Sequence, residues 1–422
     1  MADADRLTGD ALDRRVTLAA AAIVAAMPLL LIHARGVAEG LFAVLGALFV
    51  IRCARARDWS AFRQPWVVAG LLYWAWLLLV TLLMHRETEQ IVGALAWGRM
   101  PLALLALSAW ILADAEARRW LFYGSGLAIL WTALEVWLQL LFGRGILGFR
   151  RWPAGELPGP FTRPRAGHWL GFGMWPLLLG VAAPLILRRD ALRRIAGWAL
   201  LAFACATIIF VGQRMPMVFT VFGLLIAALL IPQLRLPAIA AIGAGAAALA
   251  VSSVVAPAAF HRLVVQFSRQ LANFGETHYG QILARGLEMA HQHPLTGLGE
   301  AGFQTNCPDP AYHVGWMAGS DGGGAGICVT HAHNHYLQAL TDGGWPGLLL
   351  FIAFAVLLVL AAARGLLRAP SPLRVGVFIA AFLPLWPLTS GNAFTNMPMA
   401  GLWLLMAGWA LAEARAAERP QS

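Results

Sequence analysis

The chain has 422 residues, of which 59% are hydrophobic and only 12% charged, with a mean hydropathy of +0.68. A soluble domain carries about 25% charged residues, so a soluble globular enzyme is excluded. The formal net charge is +10 and all 31 basic residues are arginine. No Schiff-base or P-loop lysine is available, and a GC-rich genome is the plainer account of the same absence. The arginines are scattered between apolar runs rather than gathered on one face, which argues against a nucleic-acid partner.

A helix that crosses a membrane needs about 20 mostly apolar residues. Such runs fall at roughly 16–32, 36–51, 65–84, 91–112, 120–142, 168–187, 195–211, 216–231, 236–256, 344–363, 375–390 and 396–413. They predict an all-α integral membrane protein of about twelve transmembrane helices. The first run lacks a small-residue cleavage site and leads directly into a second span, so it reads as a span rather than a leader. With the N-terminus placed in the cytoplasm, nineteen arginines fall at cytoplasmic ends and loops and three (Arg35, Arg86, Arg214) in short outer turns. That bias predicts both termini in the cytoplasm.

Two stretches break the short-loop pattern, and both fall on the outer face. The division expected is 1–256 for helices 1–9, with an outer segment at 143–167; 257–343 for a large outer loop; and 344–422 for helices 10–12 and a cytoplasmic tail. Loops this long in a compact protein are usually functional. Within the large loop, helices are expected at Phe260–Phe274, Tyr279–His291 and His331–Asp342, the last ended by Gly343-Gly344. The glycine run Gly319–Gly326 reads as a flexible link. Cys307 and Cys328 both lie in this loop; on an oxidising side of the membrane they are expected to form a disulfide, the alternative being two free thiols.

Eight of the eleven histidines fall between His261 and His335. In His331-Ala332-His333-Asn334-His335-Tyr336-Leu337-Gln338, a helix would put His331 and His335 on one face and Asn334 and Gln338 on another. Three readings stand: a metal site from His331 and His335 helped by His313, a catalytic histidine in an outward cleft, or solvated loop histidines. Metal sites want a third and fourth ligand, and no carboxylate partner is adjacent. Three arginines stand where the residue is costly: Arg214 in a tight outer turn, Arg285 on the helix expected at Tyr279–His291, and Arg99 within a span. Glu135 on the next span, at similar depth, is the expected ion-pair partner of Arg99. Guanidinium groups bind phosphate oxygens bidentately, so arginines at the outer boundary suit a lipid-linked phosphate or pyrophosphate. Arg163 and Arg165, on the same side, are further phosphate-binding candidates, against solvated loop arginines.

His333-Asn334, nine residues, Gly344, two residues and Gly347 resembles the H-[NSQ]-x9-G-x2-[GTY] motif of bacterial O-antigen ligases. Arg285 followed by His293-Pro294-Leu295-Thr296-Gly297-Leu298-Gly299 is similar to the arginine-bearing helix and H-P-L-x-G-x-G of the wider ligase and polymerase superfamily, and Arg214 matches the arginine of its short outer turn. The likeness is sharp from Arg214 to Gly347. It implies a GT-C-type membrane glycosyltransferase fold with a helical periplasmic loop, in the bacterial inner membrane. It also implies transfer of a polysaccharide from undecaprenyl pyrophosphate to a sugar hydroxyl of the lipid A–core at the periplasmic face, inverting and without a metal or other cofactor. In that reading His333 is the base, Arg214 and Arg285 stabilise the departing pyrophosphate, and Arg99, Arg163, Arg165, Asn334 and Gln338 hold or orient substrate.

Within the superfamily the rivals are an O-antigen polymerase and a protein O-oligosaccharyltransferase. A polymerase-type R-x10-G spacing occurs at Arg269 and Gly280, without a persuasive second example. A multi-pass transporter is the reading from a different class. No clear internal repeat supports it, and the polar residues gather at the outer surface rather than at the membrane midplane.

Overall fold

The computed structural model describes residues 2–84, 87–313, 324–389 and 397–418, with side chains from residue 13 onward. Arg86, Arg419 and the first part of the glycine run at 319–323 lie outside the described residues. Among the described residues nine helices are long and apolar enough to cross a membrane, or ten if one bent pair counts as a span. In chain order the apolar helices are α1 (Asp13–His33), α2 (Arg35–Ala56), α3 (Pro65–Met84), α4 (Thr88–Ala113), α5 (Ala115–Phe142), the bent α6 (Ala166–Gly173 with Trp175–Ile186), α7 (Ala191–Phe210), the shorter α8 (Arg214–Leu230) and α9 (Pro232–Val255). The large loop contributes α10 (257–272) and α11 (His278–Gln292). The chain then returns through α12 (His335–Ala362), the shorter α13 (Pro372–Leu385) and α14 (Met397–Glu418). The protein is an all-α integral membrane protein.

α14 is enclosed along almost its whole length, as a helix apolar on every side should be. Its small residues let neighbours approach closely. A Cβ on Gly401 would lie 2.3 Å from Leu31, and one on Gly408 would lie 2.6 Å from Leu107. Trp403 and Trp409 fill the space between, fully buried. The end of α14 is held by polar contacts: Arg118 pairs with Glu413 at 3.0 Å, and Arg415 donates to Gln64 at 2.7 Å.

Depth along a span misidentified one partner. Arg99 pairs with Glu39 of α2 at 2.7 Å, not with Glu135. Glu135 instead accepts the backbone N–H groups of Ile146 and Leu147 at 3.0 and 3.4 Å. The reason is the turn after α5. Gly143, at φ 76°, folds the chain back over the helix, and a Cβ on Gly145 would fall 1.8 Å from the Glu135 carboxylate.

The large loop has a small core of its own. Ile282, Met289 and Ala290 of α11 pack with Leu298, Phe303 and Cys307 on one side and Leu337 and Leu340 of α12 on the other. Cys307 and Cys328 are joined by a disulfide, their Cα atoms 5.6 Å apart. The helix expected at Phe260–Phe274 begins at Pro257 and ends at Ala272, with a π-helical stretch at His261–Gln266. The helix expected at His331–Asp342 begins only at His335 and continues beyond Gly344, across a break, into the span.

That break fixes how loop and membrane helices meet. Gly344 stands at φ 64°, ψ −165°, a conformation open essentially only to glycine. Interrupting a helix strands backbone groups, and the H-P-L-T-G-L-G segment collects them. Leu298 N–H donates to Thr341 O at 2.8 Å, Gly299 N–H to Asp342 O at 2.9 Å, and Trp345 N–H to Pro294 O at 2.8 Å. The Trp76 indole of α3 donates to Gly343 O at 2.8 Å. Gly297 and Gly344 approach so closely that a Cβ on either would lie 2.5–2.6 Å from backbone of the other segment. Gly344→Ala is therefore expected to destabilise the protein by on the order of 3 kcal/mol. Gly347→Ala, whose Cβ would sit 3.0 Å from Ala339 O, should cost clearly less. Thermal denaturation of the two purified variants, side by side in detergent, checks the order.

Candidate functional site

Helix α12 starts one residue after Asn334, which acts as its cap. The Asn334 Oδ1 accepts from the backbone N–H of Tyr336 and Leu337 at 2.9 and 3.0 Å, the usual way an Asn satisfies the orphan donors of a first turn. Its Nδ2 donates to Pro387 O at 2.6 Å, and the Tyr336 hydroxyl donates to Leu385 O at 2.6 Å. The start of α12 is thereby tied to the end of α13 and the residues just beyond it. His331 precedes the helix, so His331 and His335 do not share a helical face, which removes the geometric basis of the metal reading among the three. Among the described residues no group of three His, Cys, Asp or Glu side chains is arranged to hold a metal ion.

Among the described residues His333 is one of three non-glycine residues with positive φ, at 55°. Such conformations cost energy and persist where neighbours over-determine them. Here the neighbour is Gln338. Its Oε1 accepts from Ala332 N–H at 2.8 Å, and its Nε2 donates to both carboxylate oxygens of Asp342 at 2.8 Å. Gln338 and Asn334, expected to orient histidine or sugar, are thus both engaged in holding the chain on either side of His333. Sequence reading did not find Asp342; the i, i+4 spacing of Gln338 and Asp342 on one helix face was the available signal.

Aromatic rings surround His333. Its ring centroid lies 4.4 Å from that of His331, 5.2 Å from Tyr279 and 6.2 Å from His278. Burial, with the positive potential of His331, His278 and His168, pushes the His333 imidazole down to about 3. Burial and Arg165 push His331 down to about 4. Both are neutral free bases near pH 7. Arg165 itself is lowered by burial and by the charges of Arg163 and Arg35.

Arg214 opens α8 beside α10. Its Nε donates to Arg262 O at 3.3 Å, Nη2 to Gln266 at 3.1 Å, and Nη1 to Gln270. Arg262 pairs with Glu156 of the 143–167 segment at 2.8 Å. Arg262, Gln266 and Gln270 recur every four residues, a polar stripe at helical spacing that sequence reading passed over. Preceding Arg214, the buried Gln213 holds His168 at 3.2 Å. Along α8 runs an apolar groove of about 550 Å³, lined among others by Met215, Met217, Phe222, Leu249 and Trp386.

Arg285 stands apart from this group. It is 2% exposed, and its Nη1 donates to Cys307 O at 2.8 Å and Gly324 O at 2.7 Å, beside the sulfurs of the disulfide. Expected at an open phosphate site, it lies inside the loop core because α11 turns its apolar face, with Arg285 on it, toward that core. Arg99, paired with Glu39, is likewise committed to an ion pair within the helix bundle.

Residues 199–352 match the O-antigen ligase family. No curated protein matches the chain. The matched segment runs from within α7 to within α12 and includes Arg214, Arg285, the H-P-L-T-G-L-G stretch, His333 and Gly344. The match supports membership of this chain in the O-antigen ligase/polymerase superfamily, whose members are glycosyltransferase-like enzymes acting on lipid-linked polysaccharide at membranes.

Proposed function

We propose that the protein is an O-antigen ligase. It transfers a polysaccharide from undecaprenyl pyrophosphate to a sugar hydroxyl of the lipid A–core at the periplasmic face of the inner membrane, with inversion and without a metal. The observation that carries this reading is that Arg214 opens the helix whose following residues, Met215 and Met217, line the apolar groove, while Tyr279, within electrostatic reach of Arg214, packs 5.2 Å from the His333 ring. An isoprenoid chain suits an apolar groove, and its pyrophosphate suits a guanidinium at the groove's mouth.

In this mechanism the acceptor oxygen forms a bond to the anomeric carbon as the bond from that carbon to the pyrophosphate oxygen breaks. The hydroxyl proton passes to the His333 imidazole, and the bonding pair leaves on undecaprenyl pyrophosphate. Arg214 stabilises the charge that grows on the leaving group. Arg285, packed under the disulfide, maintains the loop that carries the site. The Gln338–Asp342 pair maintains the conformation of His333. An imidazole held near 3 is a weak base. A bound pyrophosphate brings negative charge that favours imidazolium and raises the value toward neutrality, so His333 gains basicity when donor is present.

Reconstituted transfer with purified undecaprenyl-pyrophosphate-linked polymer and lipid A–core, read by the mass of the product, tests the reading. His333→Ala is expected to lower kcat roughly a hundredfold to ten-thousandfold; full activity in this variant would remove the base assignment. Arg214→Lys keeps the charge but loses the planar fork, and is expected to lower kcat by about tenfold or more. Activity is expected to persist in EDTA.

The pH profiles should separate. The acid limb of kcat/KM reports the free enzyme and should stay absent down to about pH 4, given the depressed His333. The acid limb of kcat, which reports the donor complex, should lie at higher pH. Coincident limbs would show that donor binding does not tune His333.

A further inference from the structure

At the end of the helix bundle away from His333 lies a cavity of about 350 Å³. Helices α3 and α4 fix which end this is. α3 meets the joint below His333 through Trp76 and Thr81, and Gln64, just before its first residue, lies about 25 Å along the helix from Thr81. Near the start of α4, a Cβ on Gly93 would lie 2.6 Å from the Glu300 carboxylate, whereas Trp110 stands near its end. Gln64 and Trp110 both line the cavity, together with the last turns of α2, the turn that follows them and the end of α14. Phe49 and Trp110 on its wall are buried, Arg52 and Arg415 half-buried, and Asp58 and Ser60 exposed. The cavity thus has an apolar floor and a polar rim.

Both guanidinium groups on the rim are held in place by the protein itself. Arg52 lies over the Trp110 ring, 5.7 Å from its centroid, and the Trp110 indole is fixed by donating to Thr17 at 2.9 Å. Arg415 donates to Gln64 Oε1 at 2.7 Å. The same oxygen accepts from Trp66 at 3.0 Å, and Gln64 Nε2 donates to Ala61 O at 3.1 Å. Arg52 also pairs with Asp13 of α1, but the two side chains are 41% and 51% exposed. So open an ion pair is weak and yields to a competing anion. Asp58, the one carboxylate on the wall among the described residues, accepts Ser60 N–H at 2.9 Å. An arginine that only orients a span needs no cavity beside it. Here two arginines, brought by different helices, converge on one cavity, and guanidinium forks match phosphate oxygens. The apolar floor suits the carbon skeleton of an ester rather than a bare ion, and basic pockets between membrane helices hold phosphorylated headgroups elsewhere. We propose that Arg52 and Arg415 bind an anionic phosphate ester in this cavity and clamp the end of α14 against α2. The site stands a helix length from His333 and does not depend on the transferase reading.

Titrations of the full chain in detergent test the proposal without turnover. The probes are phosphatidylglycerol, glycerol 3-phosphate and, as a zwitterionic control, phosphatidylcholine. The wild type is compared with three variants: Arg52→Gln combined with Arg415→Gln, Ala56→Trp, and Arg55→Gln combined with Arg63→Gln. Ala56 is exposed on the cavity wall, so tryptophan there fills the space and keeps both arginines. Arg55 and Arg63 are exposed neighbours that do not line it. At least one of the two anionic esters is expected to bind more tightly than phosphatidylcholine. That affinity should fall by about tenfold or more in the Arg52–Arg415 variant and in Ala56→Trp, and by less than about twofold in the Arg55–Arg63 variant. Tighter binding of phosphatidylglycerol identifies a lipid headgroup as the ligand's source; tighter binding of glycerol 3-phosphate identifies a soluble ester. Three results overturn the proposal: neither ester binds above the control, the Arg55–Arg63 variant loses as much affinity as the Arg52–Arg415 variant, or affinity survives when the cavity is filled. Should the Arg52–Arg415 variant not fold, Arg52→Gln alone and Ala56→Trp give the same comparison.

Discussion

A helix that must carry a polar site at one end and cross a membrane at the other has to change character somewhere along its length. In α12 that change is the break at Gly344, and the rest of the loop face depends on it. Breaking a helix leaves carbonyls and amides without partners, and burying them unpaired would cost several kcal/mol in total. The chain answers with a second segment of matching shape. The amides of Leu298 and Gly299 and the carbonyl of Pro294 meet the stranded groups of Thr341, Asp342 and Trp345, while Trp76 reaches Gly343 from a membrane helix. Both sides need glycine because the backbones touch. Two motifs that look unrelated in sequence, one ending in Gly299 and one spanning His333 to Gly347, are therefore the two halves of one joint.

The joint sets the position of everything above it. Asp342, about two turns into α12, is buried at the joint and accepts from Gln338 and from the backbone of Gly302 and Phe303. Gln338 in turn takes the amide of Ala332, and so holds the residue next to His333. Glu300 shares this buried region, bonded through its amide to Thr81, and burial together with Glu89 raises its carboxyl to about 7. A run of contacts thus leads from the membrane helix α3 through the joint to the backbone conformation of His333. A left-handed histidine on a free loop would relax; here the flanks are fixed by Gln338 of α12 and by the cap residue Asn334.

Much of the architecture was legible in the sequence because bilayer thickness dictates span length. Arg214, Arg285 and His333 stood out by type and spacing. What escaped was which elements are neighbours. Arg99 and Glu135 have similar depth, yet the packing of α2 on α4 delivers Glu39 to Arg99, and a glycine turn delivers backbone amides to Glu135. The helix start was misjudged for a related reason. Asn334 before an apolar run is a cap signal, but the repeat of histidines at 331, 333 and 335 drew the helix boundary upstream. The pairing of Arg214 with Gln266 and Gln270 depends on how α10 folds back on α8, which no local pattern specifies.

The two arginines that the sequence presents as equivalents come out with different tasks, and burial is the reason. An arginine is never readily deprotonated, so wherever it is buried its five donors must be met by acceptors. For Arg285 the acceptors are carbonyls on the two strands of chain that the Cys307–Cys328 disulfide joins. The charge becomes an internal fastener, and a neutral residue of the same size would leave those carbonyls stranded. For Arg214 the acceptors of both Nη groups are side-chain amides at the end of an apolar groove, and only the longer Nε bond goes to a backbone carbonyl, that of Arg262. Amides on side chains rotate away at modest cost, whereas backbone carbonyls in a cross-linked loop do not. The guanidinium whose partners are easily exchanged is the one suited to trade them for a substrate's phosphate oxygens, and the one whose partners are fixed is suited to keep the site's walls in place.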